Sequence, residues 1–167
     1  MADLGRVMSL IAIPVLLGAA LSDIASRRVP NWHSALIAAV GIAARVIAGD
    51  LLSSLLLTAF TFAILFGCWT RGWLGGGDVK LLAASALLVP VSTVATLFLT
   101  VALFGGLLAV FYLVGRVVGR KHVAGQSVPG SAFQRVRRIE AWRIRRGAPL
   151  PYACAIAAGC IFTIVTG

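Results

Sequence analysis

The sequence predicts an all-α polytopic membrane protein with about six transmembrane helices, and three observations predict it. Sixty per cent of the 167 residues are apolar and only 12% are charged, too few charges to cover a soluble domain of this length. The apolar residues come in long runs, as they do where lipid is the solvent. The lysines and arginines gather in alternate loops between those runs, and so on one side.

The first run, roughly 5–23, opens with Arg6 and ends in Gly18-Ala19-Ala20-Leu21-Ser22, small residues of the kind that precede a signal-peptidase cut. It is expected to be retained, because more spans follow and the residues just beyond it carry chemistry. The second and third runs, about 33–49 and 51–69, are divided by a turn at Gly49-Asp50. The fourth, about 79–90, is short for a span and stops at Pro90. Flanking residues would have to extend it, or the surroundings be thinned or wet. A fifth covers about 92–115 and a sixth about 150–166. With no internal repeat, residues 1–167 read as a single membrane-embedded domain, interrupted by a basic loop at about 116–149.

Charge fixes the predicted orientation. Of fifteen lysines and arginines, all but Arg6 and Arg45 fall after the first run, after the third, or in the segment 116–149. With six spans and the N-terminus outside, all three basic loops are cytoplasmic. The net charge of +10 therefore reports topology and contact with anionic lipid rather than nucleic acid. Within the long loop Phe133, Val136, Ile139 and Trp142 recur every three residues. Arginines fall on nearly every side of that stretch, so an interfacial helix and a solvated loop are both open. Cys68, Cys154 and Cys160 lie in apolar sequence without metal-ligand spacing; neither a metal site nor a disulfide framework is expected.

Five acidic residues remain to carry chemistry. Asp3 and Asp50 fall at the outer face and Glu140 sits among arginines. Asp23 and Asp78 fall at the cytoplasmic ends of the first and fourth spans, on one face and in apolar sequence. Ionisable groups at such depth are functional candidates; the plainer reading pairs them with Arg27, Arg28 or Lys80. Gly75-Gly76-Gly77-Asp78-Val79-Lys80 breaks an apolar run with three glycines. Glycine lets backbone leave the helix and lets another chain come close, as an extended peptide beside two carboxylates must. Asp23-Ile24-Ala25-Ser26-Arg27-Arg28-Val29-Pro30-Asn31 closes the first span, with Pro30 starting the next element.

Together the clusters resemble the type IV prepilin peptidase family, in which an aspartate is followed by a Pro-Asn or Pro-Asp turn and then by G-x-G-D-x-K. Pro151-Tyr152-Ala153-Cys154-Ala155-Ile156 resembles that family's Pro-Tyr-Gly-x-Ala-Ile segment, with Ala153 replacing the usual glycine. The resemblance implies catalytic Asp23 and Asp78, an active-site loop of Gly75, Gly76, Gly77 and Lys80, and supporting roles for Pro30, Asn31, Pro151 and Tyr152. It implies no cofactor. Its substrate would be a prepilin or pseudopilin precursor with a short basic leader, cut at the cytoplasmic side of a bacterial inner membrane. Nothing corresponds to the extra cytoplasmic domain with paired C-x-x-C motifs of the bifunctional members. The chain is thus similar to the short form serving Flp-type (tight-adherence) pili, with no methyltransferase activity expected.

The chemistry expected is attack by a water that one ionised aspartate activates while the other keeps a proton. A helix dipole at the start of the fourth span favours an anion at Asp78 by about 0.3–1 kcal/mol, making Asp78 the base. Arg27 and Arg28 beside Asp23 push the other way, and the pair titrates as a unit. The basic loop would repel a basic leader, so it is assigned to anionic lipid or the pilus-assembly machinery, leaving substrate recognition to the helices. Presenilin-like proteases share G-x-G-D, but pair it with Tyr-Asp where Ser22 precedes Asp23. A proton-coupled transporter would show an inverted repeat, and a pilus-assembly scaffold would be expected to lose an aspartate or a motif glycine.

Overall fold

The computed structural model describes residues 2–119 and 150–166. The basic stretch 120–149, including Glu140 and the periodic apolar residues at 133–142, lies outside the described residues. The described chain forms α1 (Ala2–Leu10), α2 (Ile13–Ser26), α3 (Asn31–Ala48), α4 (Leu51–Thr70) and α5 (Gly76–Ala86). A single 3-10 turn, Val91–Thr93, leads into α6 (Val94–Gly119), and α7 (Tyr152–Thr166) follows after the basic stretch. No strand occurs among these residues.

Among the described residues four stretches are long and apolar enough to cross a membrane: Val7–Ser26, Asn31–Ala48, Leu51–Thr70 and Val91–Val117. Their outward faces are apolar rather than charged. On α6, Leu99, Leu103, Leu107 and Phe111 form an exposed stripe at one-turn spacing, the side such a helix turns to lipid. The first span is not one uniform helix as expected. Pro14 lies at the start of α2, where its missing N–H and ring cannot continue the preceding turn. The chain tightens there through Ile11 and Ala12, whose amides bond back to Met8 and Ser9. Past that point α2 runs on to Ser26, so Asp23 lies inside its last turn instead of closing it.

The fourth predicted span differs more. Helix α5 has 11 residues and is about 16 Å long, roughly half the hydrocarbon thickness. It begins at Gly76 instead of 79, so two of the three glycines are helical, and it stops at Ala86. The reason it need not span is burial. Val79 and every residue from Leu81 to Val89 are almost inaccessible, with α3, α4 and α7 packed around it. Protein thus takes the place of lipid around this helix. Gly41 of α3 makes room for the turn that follows: a Cβ there would stand 2.5 Å from that of Leu87. Ser9 donates to the Leu88 carbonyl at 2.6 Å, tying α1 to the same turn.

Helices α6 and α7 form the most extensive pair, at backbone distance. A Cβ on Gly159 would lie 2.6 Å from the Val101 nitrogen. Thr100 donates to the Gly159 carbonyl at 3.2 Å and lies 3.0 Å, hydroxyl to hydroxyl, from Thr163. Small residues with hydroxyl cross-links are the usual means of joining helices without a hydrophobic driving force. Gly159→Ala should therefore separate the two helices and cost about 1–3 kcal/mol. In detergent that would read as a melting temperature lowered by roughly 2–10 °C; an unchanged value would show the contact to be looser.

Candidate active site

Asp23 and Asp78 open into one cavity of about 660 Å³, lined also by Arg27, Arg28, Pro30, Asn31 and the glycines 75–77. Each wall follows from local sequence. Helix α2 ends because Arg27 adopts a left-handed backbone, φ 55° and ψ 31°, while its N–H bonds the Asp23 carbonyl at 2.8 Å. For a residue with a Cβ that conformation costs about 1–2 kcal/mol. Ser22 and Ser26 donate to the Arg28 carbonyl at 2.9 and 3.3 Å, holding the turn in shape. Pro30 then caps α3, and Asn31 is its first residue.

The opposite wall is the start of α5. Gly75 is its N-cap and Asp78 lies three residues on. The Gly75 N–H bonds back to the Asp78 carboxylate, the carboxylate half of a capping box. A Cβ on Gly75 would approach that carboxylate oxygen to 2.8 Å, which explains the glycine. A Cβ on Gly76 would press on the Trp69 indole at 3.2 Å, whereas one on Gly77 would meet only Val29 at an ordinary 3.7 Å. Gly77 thus leaves open space in the cavity itself. Lys80, one turn along, donates to Asn31 Oδ1 at 3.2 Å. That bond joins the two signature segments across 49 residues.

The third wall is the start of α7. The Ala153 N–H donates to Asp23 Oδ2 at 3.1 Å. Asp23, 93% buried, thereby sits on the N-terminus of a helix far away in sequence, where free amides and the dipole favour an anion. Pro151 is buried just before that helix. Tyr152 is half-buried with its ring against Gly105 of α6, and Leu150 reaches the cavity.

Asp78 stands outside the four spans, and its carboxyl is pushed up to about 6. Burial is the largest cause, followed by the negative charge of Asp23; the Gly75 N–H opposes both. A shift of that size favours the neutral acid by about 3 kcal/mol, more than the 0.3–1 kcal/mol by which a helix dipole favours the anion.

A profile of the type IV leader peptidase family matches residues 10–110. The chain belongs to that family. The matched stretch contains both aspartates, the Pro30-Asn31 turn, all three glycines and Lys80. No curated protein and no solved structure matched the chain. As a leader peptidase relative with several apolar helices, it is a membrane protein of a peptidase family.

Of the site residues singled out from sequence, Asp23, Asp78, Pro30, Asn31 and the three glycines thus line one cavity, whereas Lys80 reaches it only through Asn31 and Pro151 and Tyr152 do not line it. Two contributors escaped that reading. The Ala153 amide carries no side-chain signal, and Tyr112, whose hydroxyl accepts from Arg27 Nη2 at 3.2 Å, lies in an unremarkable apolar run. Among the described residues no group of three or more His, Cys, Asp or Glu lies together. Asp50 pairs with Arg45 at 3.2 Å, at the other end of α3 from Asn31.

Proposed function

We propose that this chain is an aspartic endopeptidase that removes the short basic leader of pilin-like precursors. Cleavage would occur at the cytoplasmic boundary of the bacterial inner membrane, with no methyl transfer. The observation that carries the reading is the environment of the two carboxylates. Asp23 is buried on the N–H groups that begin α7, and its charge helps to hold a proton on Asp78. Two acids in one cavity with such unequal surroundings are what acid–base chemistry at a carboxylate pair requires.

The roles follow from those surroundings, and they reverse the assignment a single helix dipole favours. Asp23, ionised, takes a proton from water as the water oxygen bonds to the scissile carbonyl carbon. Asp78 gives its proton to the carbonyl oxygen. As the C–N bond breaks, one hydroxyl of the diol returns its proton to Asp78, and Asp23 passes the water's proton to the departing nitrogen. Both groups finish as they began. Gly77 leaves room for an extended chain beside them, and a 660 Å³ cavity is ample for a few residues. The basic segment 116–149 would face anionic headgroups or the pilus-assembly machinery.

The mechanism has a defined pH dependence. Asp78 must be protonated, and its raised pKa of about 6 means the proton is held below that pH and lost above it. In the free enzyme kcat/KM should fall about tenfold per unit above pH 6. Substrate expels further water, so the corresponding limb in kcat should lie higher. A kcat/KM that stays flat from pH 6 to 8 would rule out Asp78 as the acid.

The function itself is tested with the purified chain in proteoliposomes and a precursor peptide carrying a basic leader and an apolar helix. Loss of a mass equal to the leader is expected. Cleavage within the apolar helix would contradict the boundary position, and cleavage by Asp23→Asn would contradict the pair.

A further inference from the structure

Arg27 is the single non-glycine residue with positive φ among the described residues, and it stands four residues after Asp23. Its side chain lines the aspartate cavity yet is clasped from outside it. Nη2 donates to the Tyr112 hydroxyl at 3.2 Å, and the guanidinium carbon lies 5.9 Å from the centre of that ring, within cation–π reach. Tyr112 is on α6. Gly105, two turns earlier on the same face, receives the ring of Tyr152, to which a Cβ would come within 3.1 Å. One face of α6 therefore steadies two residues that flank the aspartates, one from α2 and one from α7.

Other charged or titratable groups around the pair differ in setting. Arg28 and Lys80 are exposed, Lys80 engaged with Asn31, and exposed charges are screened. His33 on α3 is buried against Gly18 of α2. On α7, Tyr152 lies against Gly105 and Cys154 donates to the Ala20 carbonyl at 3.6 Å. Arg27 alone among these cations is partly buried and clamped in place, where the effective dielectric is lower and a charge acts more strongly.

We propose that Arg27, held by Tyr112, is a positioning residue of the active site whose fixed positive charge keeps the aspartate pair singly ionised as the pH falls, and so sets the acidic limit of cleavage. The proposal rests on the aspartic-peptidase reading above and adds to it a residue on α6 that acts through Arg27.

The test is kcat/KM against pH for the precursor peptide in proteoliposomes. Arg27→Gly keeps the turn, since glycine suits φ 55°, and removes only the side chain. The acidic limb should move up by about one pH unit, a tenfold loss on that limb, with a smaller change on the alkaline side. Arg27→Lys should restore most of the limb, and Tyr112→Leu should move it about half as far as Arg27→Gly, with Tyr112→Phe between Tyr112→Leu and the parent. A uniform fall in rate with the limb unmoved would overturn the proposal, as would an equal displacement in Arg28→Gly. Cleavage by Asp78→Asn would remove the underlying reading as well, and is distinguishable because it needs no change at Arg27.

Discussion

Replacing either Asp23 or Asp78 by asparagine should lower kcat/KM by about 10³-fold or more while leaving the chain folded in the membrane. Asparagine keeps the size of each side chain and can still accept from the Ala153 or Gly75 amide, so packing is barely altered. What it cannot do is take a proton from water at position 23 or supply one at position 78. On the proposed mechanism the two groups act on one substrate in one step, so their losses should not multiply. The double variant should be about as slow as either single one. A melting temperature close to that of the parent would separate loss of chemistry from loss of fold. If one single variant kept near-parental activity, its aspartate would be structural and the pair mechanism would fail.

The second large effect is expected at a residue that reaches the site through its backbone. Ala153→Pro removes the N–H that donates to Asp23 Oδ2 at 3.1 Å. A hydrogen bond to a charged group contributes about 1.5–3 kcal/mol, so its loss should slow cleavage by roughly 10- to 150-fold. Position 153 is the second residue of α7, in the first turn, where proline is tolerated. The proline ring also occupies the space of the lost hydrogen and displaces the carboxylate, which acts in the same direction. Ala153→Gly retains the N–H and serves as the control. Equal activity of the proline and glycine variants at all pH values would show that α7 does not support the base.

How far these features could be read from the residues depends on whether a side chain announces them. The membrane class was legible because lipid contact demands apolar residues everywhere on an outward face, as on α6 from Leu99 to Phe111. Asp23, Asp78 and Gly75 were legible because acids in apolar sequence are costly and glycines in a helical run need a reason. The break in the first span was missed although Pro14 marks it, since hydropathy averages over the turn it disrupts. The sequence pattern starts α5 three residues late because a run of glycines reads as a helix breaker, whereas here Gly75 caps the helix and Gly76 and Gly77 lie in its first turn. Its shortness follows from tertiary burial by α3, α4 and α7, which no local pattern records.

The assignment of base and acid shows the same limit. Only the helices that carry the aspartates can be judged from sequence, and on that basis Asp78 is the better anion. The decisive neighbour of Asp23 is the start of α7, 130 residues away, contributing a backbone amide. Lys80 and Asn31 illustrate the middle ground. Both were singled out as motif members, but their bond across 49 residues became visible only once α3 and α5 were packed together.

Whether Asp23 and Asp78 act on one another can be measured without any substrate. The chain has only four aspartates, Asp3, Asp23, Asp50 and Asp78, so carbon-13 labelling of aspartate carboxyls allows each to be titrated by NMR in a detergent micelle or nanodisc. Asp78 is expected to titrate near pH 6, and Asp23→Asn to lower its midpoint, though not fully to the ordinary carboxylate range, because burial remains. A midpoint for Asp78 that is the same with and without the charge at position 23 would show that the two carboxylates are not coupled.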